Sequence, residues 1–420
     1  MAGSVIADPA LAPEGEARIG WADGQMPVLR SIRSRFATER PLEGVSVAAC
    51  LHVTAETAVL VRTLRTGGAE VALCAANPLA TQDDVAAALA ADTDTTVLAV
   101  HGENADGYAQ HVAALAGSGP DITLDDGADL VGVMHAAFPD AVPGLRGATE
   151  ETTTGLLRMR TMHAAGRLLC PVVAVNEAQI ERAFNDRYGT GQSTLDGILR
   201  ATNLFLAGRA VVVLGYGWTG RGVAQRARGA GASVIVCEVD PMRALEARME
   251  GFEVMPALEA AERGEVFITV TGSREVLRRE HFERMPDNAV LANAGHFDVE
   301  ISRGDLLAMA AGRVREVRPL VEQYEIDGRR LNLLASGRVV NLAAAEGHPA
   351  SVMDLSFAVQ ALVVEDLITR AAPLGPGVHA VPAQIDRAVA RLKLESLQVG
   401  IDVLRPDQEQ YLRSWAPDAG

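Results

Sequence analysis

"VVVLGYGWTGRG", Val211 to Gly222, joins an apolar run to four closely spaced glycines, Gly215, Gly217, Gly220 and Gly222. A continuously apolar strand that ends in such a turn and leads into a helix brings free backbone amides and a favourable dipole to one point, where a pyrophosphate can sit. The spacing predicts a helix beginning near Val223. The next apolar run, "SVIVCEVDP", ends in Glu238, about 20 residues on, where a carboxylate accepts hydrogen bonds from the adenosine ribose and repels a 2′-phosphate. The unit therefore predicts NAD as cofactor, with Gly215, Gly217, Trp218, Thr219, Gly220 and Glu238 around it.

Working outward, short apolar runs alternate with alanine-rich helical segments: "VSVAACLHVT", "EVALCAAN" and "TVLAVHG" before this unit, "VFITVTG" and "AVLANAG" after it. Continuously apolar strands separated by helices indicate parallel sheets covered on both faces. The expected fold class is α/β with two doubly wound domains, a Rossmann NAD-binding domain being inserted in a substrate-binding α/β domain. The boundaries read as 1–184 for the substrate domain, 185–346 for the NAD domain and 347–384 for a return segment. Residues 385–420 read as a helical C-terminal tail that packs on a neighbouring subunit.

The chain has 420 residues, enough for two cores, and 48% hydrophobic against 22% charged residues is a folded composition. A formal charge of -16 repels a phosphate backbone, so a small molecule is expected as partner and nucleic acid is not. Four scattered cysteines with no CxxC pair read as reduced core thiols of a cytoplasmic protein, and no metal site is expected. The first residues lack the basic and apolar regions of a secretory signal, and no apolar run is long enough for a bilayer span, so no membrane partner is expected.

Polar clusters fall at the predicted strand ends. "CLHVTAETAVL" holds His52, Thr54, Glu56 and Thr57; "LDDGADL" holds Asp125, Asp126 and Asp129; "GATEETTTG" holds Glu150, Glu151 and Thr152 to Thr154. "NAGHFDVEI" adds His296 and Asp298, and "VVNLAAAEGHP" adds Asn341 and His348. Each has a plain structural alternative: a bonded core histidine, a helix cap or surface charge at Glu56, an N-cap at the threonines. Adjacent carboxylates beside glycine in a strand-end loop are expensive unless they bind something.

These blocks, together with "TQDDVAAA", "YGTGQSTLDGILRAT", "EVDPMRALEARMEGFEV" and "VVNLAAAEGHPASVM", are similar in content and order to the S-adenosylhomocysteine hydrolase family over nearly the whole chain. The resemblance implies an enzyme that holds NAD and recycles it within each turnover. It oxidises the 3′-hydroxyl of an adenine nucleoside, removes the acidified 4′ hydrogen, expels the 5′ substituent, adds water and reduces the ketone again. It further implies that Thr54, Glu56, Thr57, His348 and Met353 hold the adenine nucleoside. Asp126 and Glu151 act at the ribose and reacting carbons, and His52 and His296 handle the proton at the 5′ leaving group or water. Thr152, Thr153, Thr154, Thr271 and Asn341 join the contacts to NAD. A homo-oligomer, dimer or tetramer, is implied as well.

Two departures from the family pattern change these expectations. In "NEAQIERAFNDRYG", Asn176 to Gly189, Glu181 stands where the family carries a lysine against the 3′-hydroxyl, and Asn185-Asp186 stands where it carries Asp-Asn. The final "SWAPDAG" has neither the lysine nor the tyrosine of the family's tail. A change from amine to carboxyl reverses charge beside a forming alkoxide. Glu181, Asn185 and Asp186 are therefore read as part of the catalytic set, with a solvent-facing Glu181 replaced by Arg182 or Arg187 as the plain alternative. Three functions follow. The preferred one is a redox-neutral dehydratase that expels water and leaves a 4′,5′-alkene, as in the biosynthesis of angustmycin-like nucleoside antibiotics. The others are an ordinary S-adenosyl-L-homocysteine hydrolase and a regulator that binds NAD and adenosine.

Overall fold

The computed structural model describes residues 3–92 and 95–414. Fifteen strands fall along them: β1 (Ser46–Leu51), β2 (Glu70–Ala75), β3 (Thr95–Leu98), β4 (Ile122–Asp125), β5 (Gly147–Glu150), β6 (Pro171–Ala174), β7 (Ala210–Leu214), β8 (Ser233–Cys237), β9 (Glu253–Val254), β10 (Val266–Thr269), β11 (Ala289–Asn293), β12 (Val314–Arg318), β13 (Val321–Ile326), β14 (Arg329–Leu334) and β15 (Gly377–Ala380). They build two sheets. The first has seven strands in the order β15-β6-β5-β4-β1-β2-β3, all parallel. The second has eight, in the order β12-β13-β14-β11-β10-β7-β8-β9.

The first sheet closes only with β15, about two hundred residues downstream of its neighbour β6, so the chain leaves this sheet, builds the second and returns. Its central strands are buried nearly throughout, as a parallel sheet covered on both faces requires. The second sheet is parallel through β11 and β14 but ends in two antiparallel pairs, β14-β13 and β13-β12. A purely parallel sheet was the expectation. The difference lies in the tight turn at Asp327-Gly328, whose φ values are 50° and 75°, the left-handed pair that a two-residue hairpin demands.

Two further expectations are corrected. The helix after the glycine turn begins at Trp218, not near Val223, because Gly217 takes extended backbone as its N-cap and the loop residues themselves form the first turn. The segment expected to be a helical tail packed on a neighbouring subunit begins, as expected, with a helix, Ala383–Ser396, but this helix packs on its own domain. Ile385 and Val389 are buried there, and Asp386 accepts the amides of Gln179 and Ile180 at 3.2 and 3.1 Å. Beyond it Leu397, Val399, Ile401, Val403 and Leu404 are exposed, while Trp415 to Gly420 lie outside the described residues. All four cysteines are buried and unpaired, and no helix among the described residues is long and apolar enough to cross a membrane.

Candidate active site

In open parallel sheets a crevice forms where strand order reverses, outside the carboxyl ends of the strands. The first sheet reverses between β1 and β4, and the second between β7 and β10. The loops after these four strands carry His52 and Thr54, Asp126, Gly215 and Gly217, and Thr271, and all of them line one cleft of about 1530 Å³. Every residue named above as a catalytic, substrate or cofactor candidate lines this cleft.

At the first sheet's end, the register that sets Cys50 beside Asp125 carries the following residues into contact, and His52 Nε2 lies 3.3 Å from Asp126 Oδ2. Thr54 is the N-cap of the helix Ala55–Thr66, accepting the amide of Thr57 at 3.4 Å, and Glu56 lies in its first turn with burial raising its carboxyl. His348 Nε2 is 3.0 Å from Thr190 Oγ1, and burial pushes this imidazole down to about 4, so it is neutral at pH 7. His296, on the second sheet's side, is also held low, by desolvation first and against the pull of Asp126. A neutral imidazole can accept or donate a proton bond but brings no charge to the cleft.

Glu181 does not face solvent. It is 2% exposed and begins a π-helical stretch, Glu181–Thr190, whose wider turn is common at functional sites. Burial, the Glu151 charge and the Asp186 charge together raise its carboxyl well above the usual range, while Ser356 and Asn185 oppose this. Burial likewise pushes Glu151 and Asp186 each up to about 7. Glu151 accepts a hydrogen bond from Gln360 Nε2, and Asn185 donates from Nδ2 to Ser356 Oγ at 2.6 Å. Neither arginine offered as a replacement reaches the cleft wall. Arg182 lies 3.3 Å from Glu177, and Arg187 donates to Gln225 at 3.0 and 3.1 Å. The chain's single lysine, Lys393, is spent on Asp354 at 2.9 Å.

The other end fits a dinucleotide. Gly215 has φ +104°, which a side chain rarely allows, and a Cβ on Gly220 would lie 2.0 Å from the Gly215 carbonyl oxygen, so turn and helix must pack without side chains. Nothing occupies the space over Gly217 closer than an arginine tip at 3.7 Å, which leaves the amides of the first helical turn open to a phosphate. Glu238 accepts the amide of Tyr216 at 2.7 Å through one oxygen and those of Val239 and Asp240 through the other, which fixes its carboxylate at the end of β8. Thr152 caps the helix Thr153–Ala164, accepting Gly155 N at 2.9 Å, and Thr153 donates to Asn176 at 3.0 Å. Thr271 donates to Glu300 at 2.7 Å. Asn341 donates to Ser193 at 3.1 Å, and its Oδ1 is buried with no partner among the described residues. An orphaned acceptor at this position suits the carboxamide of a nicotinamide.

The helix Trp218–Gly229 meets the π-helical stretch backbone to backbone. A Cβ on Gly222 would fall 1.8 Å from the Arg187 carbonyl oxygen, and one on Gly191 would fall 2.7 Å from the Gly222 carbonyl carbon.

Some polar residues of the same clusters stay out of the cleft wall. Asp125 accepts Val131 N at 2.8 Å, Glu150 accepts Gly127 N and Thr152 N at 3.0 and 2.8 Å, and Asp129 pairs with Arg158 at 2.8 Å. These hold the loops that present Asp126 and Glu151. Asp298 is exposed beyond the rim. Sequence reasoning missed Ser356 and Gln360, both fully buried on the helix Ala350–Thr369. Two polar residues four apart in an otherwise apolar helical run were the available signal, since such a pair lies on one face.

Comparison with known proteins follows the same division of the chain. Residues 186–347 match the family described as "S-adenosyl-L-homocysteine hydrolase, NAD binding domain", and residues 4–141 match "S-adenosyl-L-homocysteine hydrolase". The chain is 56% identical over 411 residues to an "Adenosylhomocysteinase" of Aquifex aeolicus, covering 98% of each protein. It is 53% identical to an "S-inosyl-L-homocysteine hydrolase" of Methanopyrus kandleri, covering 98% of this chain and 97% of that protein. Among solved structures, a dipicolinate synthase chain from Bacillus halodurans shares the fold with TM-score 0.51 at 15% identity, covering 78% of this chain and 99% of that one.

Proposed function

The chain belongs to the S-adenosyl-L-homocysteine hydrolase family, a family of NAD-dependent enzymes, and from that premise we propose that it oxidises the 3′-hydroxyl of an adenine nucleoside, removes the 4′ hydrogen and expels the 5′ substituent. The observation that carries this reading is the single cleft, which runs from the glycine turn and Glu238 at one end to His52, Asp126 and Glu151 at the other.

An unactivated carbon-bound hydrogen is too weakly acidic for any side chain to remove, and NAD, when bound, supplies the hydride acceptor that makes the neighbouring carbon a ketone. Gly215, Gly217, Trp218, Thr219 and Gly220 would hold its pyrophosphate side, Glu238 its ribose, and Thr152 to Thr154, Thr271 and Asn341 its nicotinamide side. Thr54, Glu56, Thr57, His348 and Met353 orient the adenine nucleoside. Glu151, with its proton affinity raised to about 7 and its carboxyl held by Gln360, is suited to moving a proton at the sugar carbons near neutral pH. The Asp126-His52 pair and His296 serve the proton at the 5′ position.

Two leaving groups fit this scheme. The names of the relatives favour homocysteine, and so favour an ordinary hydrolase over the dehydratase expected from the sequence. The second reading rests on Glu181: a buried carboxyl, with no lysine near, supports a nucleoside with an altered sugar whose 5′-hydroxyl leaves as water to give a 4′,5′-alkene of the angustmycin-like kind. A regulator without turnover has less support, because buried carboxyls left unused are costly to keep.

Incubation with S-adenosylhomocysteine and a thiol reagent separates them. Release of homocysteine supports the hydrolase; loss of water from a nucleoside with a free 5′-hydroxyl, read by mass spectrometry, supports the dehydratase. If no nucleoside produces reduced-nicotinamide absorbance, both readings are overturned. The exposed apolar residues from Leu397 to Leu404 support assembly as a homo-oligomer, which sedimentation tests.

A further inference from the structure

One wall of the cleft brings three carboxyls together, Glu181, Glu151 and Asp186, with the charge of Arg182 acting on Asp186 against its burial. Glu181 is 2% exposed, lines the cavity, and its Oε1 has no hydrogen-bond partner among the described residues. Glu151 Oε1 is buried and unpartnered in the same way. The two belong to different elements, the π-helical stretch and the loop after β5, and the Glu151 charge acts on Glu181, so their pairing is a product of tertiary packing and not of sequence adjacency.

The charges that could relieve them are engaged elsewhere. On the π-helical stretch, Asp186 adds a third carboxyl, and Arg182 lies 3.3 Å from Glu177 while its charge also pulls Asp186 down. The helix Ala350–Thr369 offers the neutral Ser356 and Gln360; its Asp354 faces Lys393 and the amides of Val28 and Leu29. From the packed helix Trp218–Gly229, Arg221 pairs with Glu246 and Glu250. Asp126, 3.3 Å from His52, adds its charge to the cluster by raising Glu151 further, and His348 is neutral. Two ionised carboxylates at close quarters in a low-dielectric wall repel strongly, and a carboxyl dyad relieves this by retaining a proton.

We propose that Glu181 and Glu151 share one proton and that this pair carries the proton of the sugar hydroxyl that the cleft oxidises. The inference rests on the oxidation reading above. As the hydroxyl O–H bond breaks, its proton passes to the ionised member of the pair and its electron pair becomes the second carbon–oxygen bond. The hydride leaves the same carbon with its own electrons for the nicotinamide, so charge and atoms balance without an outside oxidant. The reverse transfer follows on reduction. A wall that keeps negative charge in hand also defines the substrate class: a neutral, hydroxyl-bearing sugar is accepted and a 2′- or 3′-phosphorylated one is repelled.

The test uses the full chain with NAD bound. In infrared difference spectra on binding a 3′-deoxyadenine nucleoside, which cannot be oxidised, the wild type at pH 7 gives a protonated-carboxyl band that shifts in heavy water. Both Glu181→Gln and Glu151→Gln remove it, each serving should the other fail to fold. A band that survives in either variant, or no such band in the wild type, overturns the shared proton. In single turnovers with a nucleoside that the wild type oxidises, Glu181→Gln slows the appearance of reduced nicotinamide about 100-fold and removes a limb of its pH profile; an unchanged rate overturns the relay. A wild type that never reduces nicotinamide, while still showing the carboxyl band, refutes the oxidation reading and leaves the dyad standing.

Discussion

Asn185 and Ser356 are joined by a 2.6 Å hydrogen bond that ties the π-helical stretch to the long return helix one turn before Gln360. Both groups are buried, so removing the acceptor leaves the amide with only the weak thioether acceptor of Met353 at 3.8 Å beside the Glu181 carboxyl. Ser356→Ala is expected to lower stability by about 1–3 kcal/mol, the usual consequence of orphaning a buried donor. Urea denaturation checks it; an unchanged midpoint would show that Asn185 finds another acceptor.

The His52-Asp126 contact at 3.3 Å places a charge partner beside the imidazole assigned to the 5′ side. Asp126→Asn should leave oxidation of the sugar intact but slow 5′ expulsion about 100-fold. Reduced-nicotinamide absorbance would then persist while product falls. Equal loss of both signals would move Asp126 into the oxidation step.

The raised carboxyl of Glu151 makes a stability prediction with a definite sign. Burial pushes it up to about 7 from the usual 4.5 of a free glutamate, so the folded chain binds the extra proton and the group weighs against folding as pH rises from about 4.5 through about 7. The full effect above that window is on the order of 3 kcal/mol. Glu151→Gln should therefore match the wild type near pH 4 and exceed it in Tm near pH 8, in ligand-free protein. A constant difference across the range would mean that Glu151 titrates normally.

Glu238 accepts three backbone amides at the end of β8, which fixes the carboxylate that we propose takes the ribose diol and repels a 2′-phosphate. Glu238→Ala should weaken NAD roughly tenfold or more while narrowing the preference over NADP, since a charge-assisted acceptor and a repulsive charge are lost together. Isothermal titration with both dinucleotides reads the ratio. A ratio that does not move would place the selectivity in another residue.

The dinucleotide half was legible because "VVVLGYGWTGRG" and Glu238 state their geometry locally: glycine where backbone must approach, acid where the ribose ends. The strand-end clusters were legible for a related reason, since loops at the carboxyl ends of parallel strands are where crevices form. The antiparallel β12 to β14 extension was missed although Asp327-Gly328 marks a hairpin, because the flanking strands are partly polar and interrupt the run of apolar strands. β15 was missed because four residues carry no period. The fate of Glu181 was beyond any local rule: helical spacing allows it either face, and its burial beside Ser356 of the distant return helix is a long-range fact that no sequence window contains. Helix Ala383–Ser396 was read as helical, but its docking on its own domain escaped for the opposite reason, its charged surface face masking the two buried residues that dock it.

The contact between Gly222 and Arg187 leaves no side chain between two main chains. Two cogs cut to mesh at zero clearance turn only together, so seating of the dinucleotide on one helix and the aim of the acidic wall on the other are a single adjustment. Gly222→Ala would drive the two main chains apart at that point, although Gly222 itself does not line the cleft.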